Sequence, residues 1–97
     1  MAQTPEGAVK TAVKRWLVQR GIYYFMPAAN GFGRVGIPDF ICCWKGRFLA
    51  IETKAPGKRG STTINQDKEI TGIHQAGGVA VVIDDVSQLD VLDQRFT

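Results

Sequence analysis

The spacing of hydrophobic residues predicts a helix at the start of the chain and a strand after it. Residues 5–20 are apolar at helical intervals, with Pro5 in the first helical position and Gly21 just after the last turn. Residues 22–26 are aromatic and β-branched, which favours a strand. A glycine-rich loop over residues 28–36 follows this strand.

Two apolar runs in the middle of the chain predict a β-hairpin. Residues 36–44 and residues 47–54 are both strand-like, and Lys45-Gly46 lies between them. A two-residue turn at this position is typical of a tight hairpin. It places Trp44 opposite Arg47 and sets the pairing of the residues farther from the turn.

The rest of the chain predicts a helix, a buried strand and a last short helix. Residues 63–76 have a helical pattern that Gly77-Gly78 ends, and residues 79–83 are continuously apolar, as in a strand buried on both faces. Because a helix connects this strand to the hairpin, the two should run parallel. With a short helix within residues 86–92, the order α-β-β-β-α-β-α predicts an α/β fold, more exactly an α+β mixed sheet covered by helices.

The hairpin register places two carboxylates face to face. Counted outward from the turn, Asp39 falls opposite Glu52, where side chains of antiparallel neighbours stand about 4.5–5.5 Å apart. Like charges at that distance repel, and Lys54, two residues on, points to the same face of the sheet. This arrangement predicts a site for a divalent metal ion.

Glu6 is a third candidate acid. It precedes Val9 and Val13 by three and seven residues, and so lies on the inward stripe of the first helix. The alternative is a first-turn acid that complements the helix dipole and pairs with Lys10. Given the facing carboxylates on the hairpin, we predict that Glu6 is a third metal ligand or an acid just outside the ligand set.

Gln66 has two equally specific interpretations. With Thr63 it fits a capping box, in which its side chain turns back onto the backbone at the start of its own helix. The same position lies at a helix N-terminus after the basic loop that leaves Lys54, where donors could contact a phosphate. Both interpretations stay open at the level of sequence.

The charge balance favours an anionic partner. The 97 residues carry 12 Lys and Arg against 9 Asp and Glu, a net charge of +3. Basic and amide side chains are expected around the acidic centre, by which we mean Asp39, Glu52 and Glu6. For any single lysine, the alternative is an ordinary solvated surface position. The predicted nucleic-acid contacts are Arg34, Lys58, Arg59, Lys10, Lys14 and Asn30.

The cysteines and the N-terminal region bear on location. Cys42 and Cys43 are adjacent in a strand, so they should point to opposite faces and not bridge each other, which is typical of reduced thiols. The sequence has neither a signal-peptide pattern nor a long apolar run. We therefore expect a cytoplasmic, nucleoid-associated protein with no membrane partner.

The hairpin residues resemble a known nuclease pattern. Pro38-Asp39, a 12-residue gap and Glu52-Thr53-Lys54 resemble the PD-(D/E)XK signature. The fuller block, residues 34–40 and 47–54 followed by Gln66, resembles the VRR-NUC (virus-type replication-repair nuclease) family. Glu6 matches the acidic residue that this family carries on its first helix, and the resemblance covers residues 5–84.

The resemblance implies both a fold and an activity. The fold is a restriction-endonuclease-like α-β-β-β-α-β core with a short C-terminal helix, and residues 1–97 form a single stand-alone domain of the VRR-NUC type. The activity is that of a Mg²⁺- or Mn²⁺-dependent endonuclease. The implied catalytic residues are Asp39, Glu52, Lys54, Glu6 and Gln66. The implied metal ligands are Asp39, Glu52, Glu6 and the backbone carbonyl of Thr53.

The implied substrate is branched DNA such as a Holliday junction, cut without sequence preference by a homodimer during DNA repair in a bacterial or phage-infected cell. Three alternatives remain open. The chain could be a flap or nicking nuclease, or a nuclease that acts on RNA. It could also be a non-catalytic nucleic-acid binding module whose carboxylates are structural.

Overall fold

A computed structural model describes residues 3–28 and 33–97 as one four-stranded mixed sheet with helices on both faces. In chain order, the main elements are α1 (Pro5–Gln19), β1 (Tyr23–Phe25), β2 (Phe40–Trp44), β3 (Arg47–Thr53), α2 (Ile64–Gln75), β4 (Val79–Ile83) and α3 (Leu92–Arg95). A 3₁₀ helix over Val86–Leu89 precedes α3. The predicted α+β fold with its α-β-β-β-α-β order is confirmed, and the single predicted last helix is in fact two short ones.

The sheet has the strand order β1-β2-β3-β4. β1 and β3 both run antiparallel to β2, whereas β4 runs parallel to β3, as predicted for a helical crossover. The hairpin turn has positive φ at both central residues, 52° at Lys45 and 76° at Gly46, which suits the twist of the flanking strands. Trp44 pairs with Arg47, so the predicted register is confirmed.

Helix α1 begins and ends where its sequence predicts. The Thr4 hydroxyl accepts a hydrogen bond from the backbone N–H of Gly7. Pro5 has no backbone N–H and therefore leaves no unpaired donor in the first turn. Gly21 adopts a φ of 66°, a conformation that glycine tolerates, and the chain leaves the helix there. The buried face of α1 consists of Val9, Val13, Trp16 and Leu17.

The core lies between α1 and one face of the sheet. Along β2 the buried side chains of Phe40, Cys42 and Trp44 alternate with the less buried Ile41 and Cys43. The two cysteines therefore point to opposite faces and are both free thiols, as predicted. Burial raises the pKa of the Cys42 thiol to about 12, which keeps it protonated and unreactive at neutral pH.

The C-terminal segment closes the core. The ring of Phe96 stacks on Trp44 with 4.7 Å between ring centroids, and Trp16 meets Trp44 edge-on at 5.6 Å. Phe96 is only 1% exposed, although the sequence pattern gave no reason to expect it in the core. Arg20 extends from the end of α1 to Asp93 at 2.8 Å, which ties the first helix to the last.

Strand β4 lies at an edge of the sheet, and its predicted burial on both faces holds for only part of its length, where Val79 and the opposite-facing Ala80 are both buried. Val81 and Val82 are only half-buried, because β4 has a neighbouring strand on one side. Arg59 donates from Nε to the carbonyl of Val82 at 2.8 Å, which satisfies one acceptor of the exposed edge. No helix within residues 3–28 and 33–97 has the length and apolar character needed to cross a membrane.

Candidate active site

Asp39 is fixed across the end of the hairpin. Its Oδ2 accepts hydrogen bonds from the backbone N–H of Thr53 at 2.9 Å and from the Thr53 hydroxyl at 2.6 Å. The last pair of the hairpin joins Phe40 to Ile51, and Asp39 lies in a bend just before β2. Only the carbonyl of Thr53 was predicted to take part in the site, and its hydroxyl was not. The position of this threonine between Glu52 and Lys54 in the sequence could have indicated the contact.

Glu52 is a buried acid with one unsatisfied oxygen. The residue is 4% exposed, and its Oε2 accepts from Gln66 Nε2 at 3.1 Å. Among the described residues, Glu52 Oε1 is buried without a hydrogen-bond partner. Burial, and then the charge of Asp39, raise the pKa of Glu52 to about 7. A buried oxygen left without a donor is costly, so the position suits a cation.

Lys54 is held by both its neighbours in the site. Its ammonium group donates to Gln66 Oε1 at 2.9 Å and lies 3.6 Å from Glu52 Oε2. The Lys54 side chain is only 12% exposed, and its four-carbon stem is therefore confined. The register predicted Lys54 beside Glu52, and the structure brings the two together.

Gln66 completes the capping box that its sequence position allowed, and its side chain also contacts two residues of the site, whereas the predicted phosphate contact stays a prediction. Its backbone N–H donates to the Thr63 hydroxyl at 3.2 Å, and its Oε1 accepts from the Thr63 N–H at 2.9 Å, which completes the capping box. The same side chain accepts from Lys54 through Oε1 and donates to Glu52 through Nε2. The cap thus fixes the amide that orients Lys54 and Glu52.

Gly36 makes a close backbone contact that the sequence reasoning did not identify. Its φ is 82°, and a Cβ atom placed there would lie 2.4 Å from the carbonyl carbon of Asn65 and 2.7 Å from the nitrogen of Gln66. The loop that leads to Asp39 therefore packs directly on the first turn of α2. The glycine just before Ile37-Pro38-Asp39 could have indicated this contact, because two backbones can approach so closely only where there is no side chain.

Helix α1 supplies a lysine to the acidic centre. Lys10 Nζ lies 2.6 Å from Glu6 Oε2 and 3.7 Å from Asp39 Oδ2. Glu6 therefore makes the pair with Lys10 that one interpretation expected, and the same lysine also approaches Asp39. The role of Glu6 as a metal ligand or nearby acid stays a prediction. Burial lowers the pKa of Lys10, but the hydrogen bond to Glu6 and the charge of Asp39 outweigh it and raise the pKa above its ordinary value. Lys10 stays charged at neutral pH.

The donor set fits a hard divalent cation. Asp39, Glu52 and the Thr53 carbonyl offer the oxygen ligands that Mg²⁺ and Mn²⁺ prefer, and Glu52 Oε1 has no partner within residues 3–28 and 33–97. In those same residues, no three His, Cys, Asp or Glu side chains are grouped as a metal site. Glu6 is instead engaged by Lys10.

The predicted phosphate contacts differ in their exposure and in their partners. Arg34 is 76% exposed and pairs with Glu69 on α2 at 2.9 Å. Lys14 and Lys58 are exposed, and Arg59 is exposed but anchored to β4. Lys10 lies inside the acidic centre and not at its rim. Asn30, the remaining predicted contact, lies outside the described residues.

The buried Glu52 should make the stability of the metal-free protein depend on pH. Its pKa is about 7 in the folded protein against an ordinary value of 4.5. Between these values the folded protein holds a proton that the unfolded chain has lost, so the free energy of unfolding falls as pH rises. This shift corresponds to about 3 kcal/mol. The free energy of unfolding, measured by urea at several pH values without divalent ions, should fall in this way for wild type but not for Glu52→Gln. The same dependence on pH in both proteins would contradict the prediction.

Comparison with known proteins connects this geometry to a fold family. No family model and no curated protein matches the chain. Among solved structures, a VRR_NUC domain protein is similar, with a TM-score of 0.70 and 24% sequence identity over 99% of this chain and 90% of that chain. The chain therefore has the fold of a VRR_NUC domain protein, which is the fold that the sequence resemblance implied.

Proposed function

We propose that this chain is a metal-dependent endonuclease that hydrolyses phosphodiester bonds in DNA. The observation that carries the proposal is Glu52, a buried acid with an unpartnered oxygen, held beside Lys54 and near Asp39. Although Lys54 lies beside Glu52 and Lys10 beside Asp39, the Oε1 atom of Glu52 is buried without the donor or cation that would offset its burial. The likeness to a VRR_NUC domain protein supports the same conclusion.

The side chains of the site have separable roles in such a reaction. A bound Mg²⁺ or Mn²⁺ supplies Lewis-acid polarisation of the phosphate and activation of water. Lys54 orients the attacking water and offsets the negative charge that develops on the phosphoryl oxygens. Gln66 fixes Lys54 through its Oε1. Water attacks phosphorus and the bond to the 3′ oxygen breaks, which leaves a 5′-phosphate and a 3′-hydroxyl.

The proposed substrate is branched DNA such as a Holliday junction, recognised by shape and not by sequence. A single small domain with the exposed basic residues Arg34, Lys14 and Lys58 is suited to phosphate contacts, which carry no sequence information. Two related strands of a junction must be cut, so we propose that the chain acts as a two-fold homodimer.

Cleavage of a substrate panel tests this function. Four-way junctions, flaps, forks, duplex and single strands of DNA and RNA are incubated with Mg²⁺, Mn²⁺ or EDTA, with Glu52→Gln as the matched inactive control. We expect metal-dependent cutting that is fastest on four-way junctions, and a dimer on sedimentation. Preference for flaps or RNA, or a monomer, would redirect the substrate assignment. Binding without cleavage in every metal would contradict the enzyme.

Gln66 and Gln88 form a matched pair for testing the double role of the capping glutamine. Each completes a capping box, but only Gln66 also contacts Lys54 and Glu52. Replacing either by Ala should lower the free energy of unfolding by about 1 kcal/mol, the usual contribution of a cap. Only Gln66→Ala should also slow cleavage, by about tenfold. Equal cleavage rates in the two variants would show that Gln66 is merely a cap.

A further inference from the structure

Lys10 occupies an unexpected place in the acidic centre. Its ammonium group is 2.6 Å from Glu6 Oε2 and 3.7 Å from Asp39 Oδ2, and its side chain is 27% exposed. Asp39 Oδ2 is the same oxygen that receives both hydrogen bonds from Thr53. One cation therefore already neutralises two of the three acids that the motif assigns to the metal.

We infer that Lys10 holds the place of the metal ion in the metal-free protein, and that the incoming cation must displace it from Glu6 and Asp39. This inference rests on the proposed metal-dependent function. Two cations cannot share a pair of carboxylates at contact distance without strong repulsion. While Lys10 pairs with Glu6, that carboxylate is engaged and is not grouped with Asp39 and Glu52.

The side chain of Lys10 is suited to such an exchange. It carries a point charge on a flexible four-carbon stem, so it can leave one pair of oxygens without any movement of α1. Lys10 lies on the same helix as the exposed Lys14, one turn away, on the side of the domain that carries Asp39. Once displaced, its ammonium group is free to contact a substrate phosphate. Lys10 would then neutralise the acids when no metal ion is bound, and contact DNA when the metal ion is bound.

Mn²⁺ titration calorimetry without DNA tests the exchange. Lys10→Met removes the competing charge and keeps the length of the side chain, and Lys14→Met removes the same charge one turn away. We expect Lys10→Met to bind Mn²⁺ about tenfold more tightly than wild type, and Lys14→Met to differ from wild type by less than about twofold. Lys10→Gln should reproduce the gain if the Met variant folds poorly. The metal-free Lys10→Met protein should also melt at a lower temperature, since its acids have lost their counterion.

The outcomes separate this inference from the proposed function. Equal Mn²⁺ affinity in wild type and in both Lys10 variants would overturn the role of Lys10 and leave the metal site standing. An equal gain in Mn²⁺ affinity in Lys10→Met and Lys14→Met would overturn it too, since the loss of any nearby positive charge would then explain the gain. No Mn²⁺ binding in wild type or any variant would contradict the proposed function itself. In a double-mutant cycle, the gain from Lys10→Met should shrink when Glu6→Gln is also present.

Discussion

Lys54→Met should lower the rate of phosphodiester cleavage by about 10²–10³-fold while the protein stays folded. The ammonium group of Lys54 is fixed by Gln66 at 2.9 Å and lies 3.6 Å from Glu52, so it is held where charge develops in the reaction. Methionine has a similar length and no charge. The loss should appear in the single-turnover rate at saturating DNA, because the side chain acts on the chemical step.

Lys68→Met is the matched control for this loss. Lys68 lies exposed on α2, two residues after Gln66, and its replacement removes the same charge outside the site. Its cleavage rate should stay within about twofold of wild type. A Lys54→Met enzyme that cleaves as fast as Lys68→Met would refute the catalytic role of Lys54, whatever its effect on DNA affinity.

Gly36→Ala should be the most destabilising small substitution near the site. Its Cβ would overlap the carbonyl carbon of Asn65 at 2.4 Å and the nitrogen of Gln66 at 2.7 Å, and its φ of 82° is unfavourable for alanine. Overlap with backbone cannot be relieved by a rotamer change, so the loop and α2 must separate. We expect a loss of about 4 kcal/mol in the free energy of unfolding. Cleavage should fall as well, because Asp39 and Gln66 move apart.

Gly57→Ala isolates the overlap from the backbone conformation. Gly57 has the same φ of 82°, but no atom lies within 4 Å of the position its Cβ would take. This variant should lose only about 1 kcal/mol, the cost of a left-handed conformation for alanine. Urea unfolding of both variants measures the difference. Equal losses in the free energy of unfolding would mean that the contact between the loop and α2 does not contribute to stability.

The features that follow from local periodicity could be predicted from the sequence. The hairpin register depends on the two-residue turn at Lys45-Gly46, and the parallel pairing of β3 and β4 depends on the connection between them. The proximity of Glu52 and Lys54 also follows from the sequence, because Glu52 lies in β3 and Lys54 comes directly after the end of that strand.

The features that depend on how helices dock could not be predicted. Lys10 is on the edge of α1 in a helical projection, and only the packing of α1 against the sheet brings it to Asp39. Gly36 contacts α2 about thirty residues away, a tertiary approach that no local pattern specifies. Phe96 stacks on Trp44 for the same reason. The contact of Gln66 with Glu52 likewise depends on how α2 docks, and one amide has enough donors and acceptors for this contact and for the cap.

Calorimetric titration of Mn²⁺ into wild type, Asp39→Asn and Glu52→Gln tests the central claim, that these two acids form a metal site, most directly. Each substitution keeps the size of its side chain and removes one negative charge. We predict binding to wild type and a loss of affinity of about tenfold or more in either variant. Equal Mn²⁺ affinity in all three proteins would contradict the metal site.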